Sequence, residues 1–181
     1  MKMKLFVLLF SLMVIMACSA HKSSTKQEEK ALEYVNSLFW SKMVDVAIDG
    51  NYAYCAYRNG LIVMDVTQKN KPVVVSQLYL GGGSDIDLKP GLAFIAAKKK
   101  GLLVVDISNP KEPVLKASLD TPGEAVEVAL KGNYAYIADW TSGLQIVDIH
   151  NPLAPEIPGT FDTPGSASGR GWAGSASGSA G

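Results

Sequence analysis

Carboxylates are the groups through which this chain could most readily do chemistry. Asp65, Asp106 and Asp148 stand 41 and 42 residues apart, and converging carboxylates can hold a divalent cation or exchange a proton. Each of the three, however, closes the same apolar run, so a role inside every copy is expected. That role is a turn, in which the carboxylate accepts backbone N–H groups beside Asn109-Pro110 and Asn151-Pro152. Other reactive side chains are scarce. His21 and His150 form no ligand spacing for zinc. Cys55 aligns with Ile95 and Ile137, which fits a small buried hydrophobe better than a nucleophile. Gly81-Gly82-Gly83 has no lysine-serine pair and no helix pattern after it, so it reads as a flexible connection and not a phosphate loop. No catalytic residue, metal ligand or cofactor is expected.

The elements that would carry these residues are repeated. Gly60-Leu61-Ile62-Val63-Met64-Asp65-Val66 returns as Gly101-Leu102-Leu103-Val104-Val105-Asp106-Ile107 and as Gly143-Leu144-Gln145-Ile146-Val147-Asp148-Ile149. Upstream, Tyr52-Ala53-Tyr54-Cys55-Ala56 matches Leu92-Ala93-Phe94-Ile95-Ala96 and Tyr134-Ala135-Tyr136-Ile137-Ala138, the aromatic and β-branched alternation of a strand. A first strand precedes each through Val46 and Ile48, Ile86 and Leu88, or Val126, Val128 and Leu130, with a turn at Asp49-Gly50, Pro90-Gly91 or Lys131-Gly132. Seven residues after each aspartate comes Pro72, Pro113 or Pro155, opening a fourth strand at the sheet edge, where a missing N–H does no harm. A repeat of this length built from four short strands predicts one propeller blade. The fold class expected is therefore all-β, a β-propeller of four-stranded antiparallel blades with about three blades present over residues 43–165.

The Gly-Asn-Tyr-Ala-Tyr block, the Gly-Leu-x-Ile/Val-Val-Asp-Ile block and the Asn-Pro-x-x-Pro block together resemble the LVIVD-repeat family of secreted or surface proteins of bacteria and archaea. The resemblance covers roughly residues 43 to 165 and implies a β-propeller. It brings no catalytic motif with it. Thr67-Gln68-Lys69-Asn70 and Lys98-Lys99-Lys100 depart from the family's pattern without touching the strands.

The first eighteen residues suggest an address. Lys2 and Lys4 precede an apolar stretch over residues 5–17, too short at about 1.5 Å per residue to span a bilayer core of about 30 Å, so residues 1–17 read as a signal peptide. Ala17-Cys18 resembles a bacterial lipobox, which implies cleavage before Cys18, lipid on its thiol and attachment to the cell envelope, at the outer membrane or cell surface. Residues 18–42 then form a tether, polar at first and ending in a lone strand or a short amphipathic helix, the strand being favoured by its spacing. With Cys18 lipidated, Cys55 has no intramolecular partner.

Seventeen basic and seventeen acidic residues leave no net field to recruit nucleic acid. In an up-and-down blade, the loops joining second to third strands share one end with the connections between blades. That end would gather Tyr57, Arg58, Lys98, Lys99, Lys100 and Trp140, near Asp139, Glu124, Thr121 and Thr163. Basic and aromatic side chains on such loops suit an anionic glycan or a surface protein. The leading expectation is a lipid-anchored binding or scaffolding module, and the alternative is an envelope propeller hydrolase or lyase. Residues 166–181 hold fourteen Gly, Ser or Ala in sixteen, so a disordered tail is expected where a fourth repeat would begin. Three blades are fewer than a closed ring needs, which implies a truncated propeller or self-association of short chains.

Overall fold

A computed structural model describes residues 43–163, 165 and 167. It has twelve strands in three sheets of four, and no helix among the described residues. The first sheet holds β1 (Met43–Asp49), β2 (Tyr52–Tyr57), β3 (Gly60–Asp65) and β4 (Val73–Tyr79). The second holds β5 (Asp85–Lys89), β6 (Leu92–Ala96), β7 (Leu102–Asp106) and β8 (Val114–Leu119), and the third β9 (Glu127–Lys131), β10 (Tyr134–Ala138), β11 (Leu144–Asp148) and β12 (Glu156–Phe161). Each is an antiparallel meander in chain order. The expected signal peptide, the tether with its lone strand, and Cys18 and His21 lie outside the described residues, as does the expected tail apart from Ala167.

The register explains why the repeated motif has its length. Tyr52 faces Asp65 in the first sheet, Leu92 faces Asp106 in the second and Tyr134 faces Asp148 in the third, so second and third strands pair over matching spans. Every sheet also has an irregularity in the pairing of its third and fourth strands, at Val63/Met64, Val104/Val105 and Ile146/Asp148. A bulge at a fixed place increases the local twist in the same way each time. The aspartates then end the third strands as expected. Asp65 accepts from Thr67 N at 2.9 Å, Asp106 from Ser108 N at 3.0 Å and Asp148 from His150 N at 2.8 Å.

The sheets stack on one another. β1 lies beside β5 and β5 beside β9, so the sheets fan out from their first strands. Tyr54, Leu61 and Val63 pack on Ile95, Leu103 and Val105 in the first seam, and Phe94, Leu102 and Val104 pack on Ile137, Val147 and Ile149 in the second. The middle sheet is thus apolar on both faces because both are covered. The third sheet's far face has no such cover among the described residues. Tyr134 is 41% exposed there and Phe161 62% exposed.

Candidate functional site

The loop end is built by main-chain contacts between each second-to-third-strand loop and the connection that follows its sheet. Gly82 N donates to Arg58 O at 2.7 Å. Lys98 and Ala125 exchange two hydrogen bonds, of 2.9 and 3.1 Å, and Ala167 N donates to Trp140 O at 2.8 Å. Arg58, Lys98 and Trp140 are therefore equivalent positions, and their backbone holds the start of the next repeat. Lys98 and Trp140 adopt left-handed φ angles of 51° and 47°, a conformation that costs a side-chain-bearing residue roughly 1–2 kcal/mol. The tight loop holds them in it: Gly101 N donates to Lys98 O, and Ser142 N to Asp139 O.

Arg58, Lys98, Lys99 and Lys100 are exposed at this end, as is Trp140. Tyr57 departs from that expectation and is corrected. Its ring is 1% exposed, among Cys55, Ile62 and Met64, and its hydroxyl accepts from Gln77 Nε2 at 2.5 Å. Tyr57 ends a strand whose side chain turns into the sheet face, so it is a core residue. Asp139 is likewise buried, one oxygen accepting from Thr121 Oγ1 at 2.7 Å and the other from Gly123 N at 2.8 Å. It clamps the connection leaving the second sheet to the loop of the third. Glu124 instead faces Lys99, at 3.9 Å. Asp139→Asn is expected to cost about 1–3 kcal/mol, because its NH₂ replaces one of the two oxygens that accept from the Thr121 hydroxyl and Gly123 N, leaving that bond unmade in a buried place. Thermal denaturation of the variant checks this.

Lys99 and Lys100 line a cleft of about 430 Å³ beside the seam of the first two sheets, together with Tyr79, Leu103, Ser118 and Asp120. Lys100 Nζ is fixed there by Leu80 O at 2.6 Å. The cleft offers two ammonium groups, a hydroxyl and a carboxylate above an apolar floor of Leu80, Leu103 and Leu115. The chemistry of such a set is complementary to acidic and hydroxyl groups.

A second constellation escaped the sequence reading. Asp45, Asp85 and Glu127 occupy the same place in the first strands of the three sheets. Asp45 Oδ2 accepts from Ile86 N at 3.1 Å, Asp85 Oδ2 from Val128 N at 2.8 Å and Asp87 Oδ2 from Leu130 N at 2.8 Å. Each carboxylate thus reaches from its own sheet to the backbone of the next. The available signal was an acid recurring at 40 and 42 residues, one per first strand.

The titratable groups differ by environment. Burial raises Asp85 to about 7 against the opposing bond from Val128 N, with Asp45 and Glu127 adding to the rise. Burial, and secondarily Asp45, push the Cys55 thiol up to about 11, which keeps it protonated and unreactive at neutral pH. The half-buried Asp65 and Asp106 are held below the usual carboxylate range, first by the hydroxyls of Thr67 and Ser108. Among the described residues no group of three or more His, Cys, Asp or Glu is arranged to hold a metal ion.

The LVIVD repeat model matches residues 42–78, 81–121 and 122–163. Among solved structures, the chain is similar to a structural genomics protein of unknown function from Bacteroides thetaiotaomicron VPI-5482, crystallised and solved at 1.70 Å. The two share 16% identity with a TM-score of 0.50, over 68% of this chain and 33% of that one. The chain therefore spans about a third of that protein, and at such identity the likeness concerns the fold alone. No curated protein matches the chain.

Proposed function

Because the chain belongs to the LVIVD-repeat family, whose repeats here form stacked four-stranded sheets, we propose that it is a binding or scaffolding module of the cell envelope. In this reading lipid on Cys18 holds it to the membrane, and the loop end engages an anionic glycan. The observation that carries the reading is the cleft in which Lys99 and Lys100 stand over apolar side chains beside Ser118 and Asp120. The lysines supply charge, the hydroxyl and carboxylate address sugar hydroxyls, and Tyr79 offers a ring to a sugar's C–H face. The open far face of the third sheet, with Tyr134 and Phe161, suits self-association or a surface protein.

Biolayer interferometry against polygalacturonate, heparin and neutral dextran tests this. Binding to a polyanion is expected to weaken with salt, and to fall by about tenfold in each of Lys99→Glu and Lys100→Glu. Lys99 has a highly exposed side chain, so Lys99→Glu should change stability by no more than about 0.5 kcal/mol. Equal binding to dextran, or indifference to both substitutions, would remove the cleft from consideration.

A further inference from the structure

We propose that a second copy of this chain docks head to tail, the first strand of one copy's first sheet seating on the far face of the other copy's third sheet. Self-association of this kind rests on the openness of that face noted above and is independent of the lysine cleft. The repeat supplies the geometry. Tyr134, Tyr136 and Ile146 on the far face stand 42 residues after Leu92, Phe94 and Val104, which fill the second seam against the third sheet. Phe94 and Val104 have no exposed surface there. The third sheet thus repeats, in the open, a surface that is covered in the sheet before it.

The matching half is on the same chain. In each seam the incoming sheet presents its first strand: Ile86 of β5 is 5% exposed in the cluster with Tyr54 and Leu61, and Val128 of β9 is 4% exposed in the cluster with Phe94 and Val104. Val46 of β1 holds the same place, pairing with Cys55 as Ile86 pairs with Ile95 and Val128 with Ile137. Yet Val46 is 50% exposed, and Ile48 on the same face is 61% exposed. Cys55, Ile62 and Met64 of that sheet are already buried in a cluster of their own, so the first strand is the part left to meet a neighbour. First strands are also where the sheets within one chain lie side by side, β1 with β5 and β5 with β9.

The polar grip is repeated as well. Asp45 reaches Ile86 N of the next sheet, and Asp85 reaches Val128 N. Glu127 and Ala129 stand in the third sheet where Asp45 and Ala47 stand in the first, which places an acid at the same point of approach to Val46 of a second copy. A foreign protein would need none of this correspondence, whereas the chain itself carries both halves. Because the two halves differ, the contact is heterologous, and two copies satisfy it twice if the ring closes. Two copies of three sheets make six, inside the range of about four to eight blades that close a propeller.

The test is the mass of the whole chain, purified in detergent, by size-exclusion chromatography with light scattering over a dilution series, the detergent's mass being subtracted. Twice the mass of one chain is expected, falling toward one on dilution. Val46→Lys and Tyr134→Glu, both at half-exposed positions where a single copy tolerates a charge, are each expected to be monomeric. Mixed in equal amounts they should pair again, since each brings one intact half and the two altered halves meet as lysine against glutamate. A monomer in the unaltered protein, a dimer that survives Val46→Lys, or a mixture that stays monomeric overturns the proposal. Should either variant fail to fold, hydrogen exchange of the unaltered protein decides. Amides of β1 and β9 that slow as concentration rises support the docking, and exchange independent of concentration overturns it. A chain that stays monomeric can still bind a polyanion through Lys99 and Lys100, so the two readings fail separately.

Discussion

Ile137→Asp is expected to unfold the protein. Ile137 sits in β10 with no exposed surface, paired with Val128 on one side and Gln145 on the other. It packs with Phe94, Leu102 and Val104 of the second sheet, so its side chain joins two sheets and not merely two strands. A carboxylate there loses the apolar contact, worth about 1.5–3 kcal/mol, and adds the cost of a buried charge without a partner, several kcal/mol more. A domain of this size is stable by roughly 5–15 kcal/mol in total. Far-ultraviolet circular dichroism should show the sheet signal lost at neutral pH. Retention of a cooperative melt close to that of the unaltered protein would mean that the second seam is not a core.

Gly101→Ala is the other change expected to be severe, and it explains why a glycine begins the motif in every repeat. Gly101 has φ of 66°, and a Cβ built on it would lie 2.1 Å from Leu119 O and 2.8 Å from Thr121 N. These are backbone atoms of the outer strand and the connection after it, so no side chain can swing away. Gly60 and Gly143 meet Leu78 O and Phe161 O at 2.1 and 2.2 Å in the same manner. Relief would require opening the pairing of β7 with β8, and the loss should be about 3 kcal/mol or more. Gly132 provides the comparison. Its φ is 57° but nothing lies within 4 Å of a Cβ there, so Gly132→Ala should cost only about 1–2 kcal/mol. Chemical denaturation of the two variants separates the terms, and equal losses would assign the whole effect to φ.

The strands were legible because within-sheet order is written locally. Alternating apolar residues placed β2, β6 and β10, and the prolines at 72, 113 and 155 marked the starts of β4, β8 and β12. What alternation does not carry is which side chain reaches a different sheet. Asp45 and Asp85 stand in the short first strands, yet their partners are amides 41 and 43 residues onward. Tyr57 and Asp139 share one repeat position with Ala97. With an aromatic ring, a methyl and a carboxylate in one place, nothing common signalled burial, and Asp139 is buried only because Thr121 and Gly123 come to meet it. The lysines of residues 98–100 were placed correctly at the loop end because that depends on strand order alone.

The grip at Arg58, Lys98 and Trp140 is made by their carbonyls and amides. A guanidinium, an ammonium and an indole already occupy the three places, and in each the residue's carbonyl accepts an N–H from the following segment, joined at Lys98 by a bond from its own amide. Selection, natural or in a display library, can therefore rewrite what this end touches while leaving the scaffold's thermodynamics nearly constant. The constraint is on shape at Lys98 and Trp140, where the left-handed backbone penalises β-branched residues and admits asparagine or glycine readily. The side chains this end displays and the folding of the scaffold are in that sense inherited separately, and a variant with a new loop surface need not first acquire extra stability to survive.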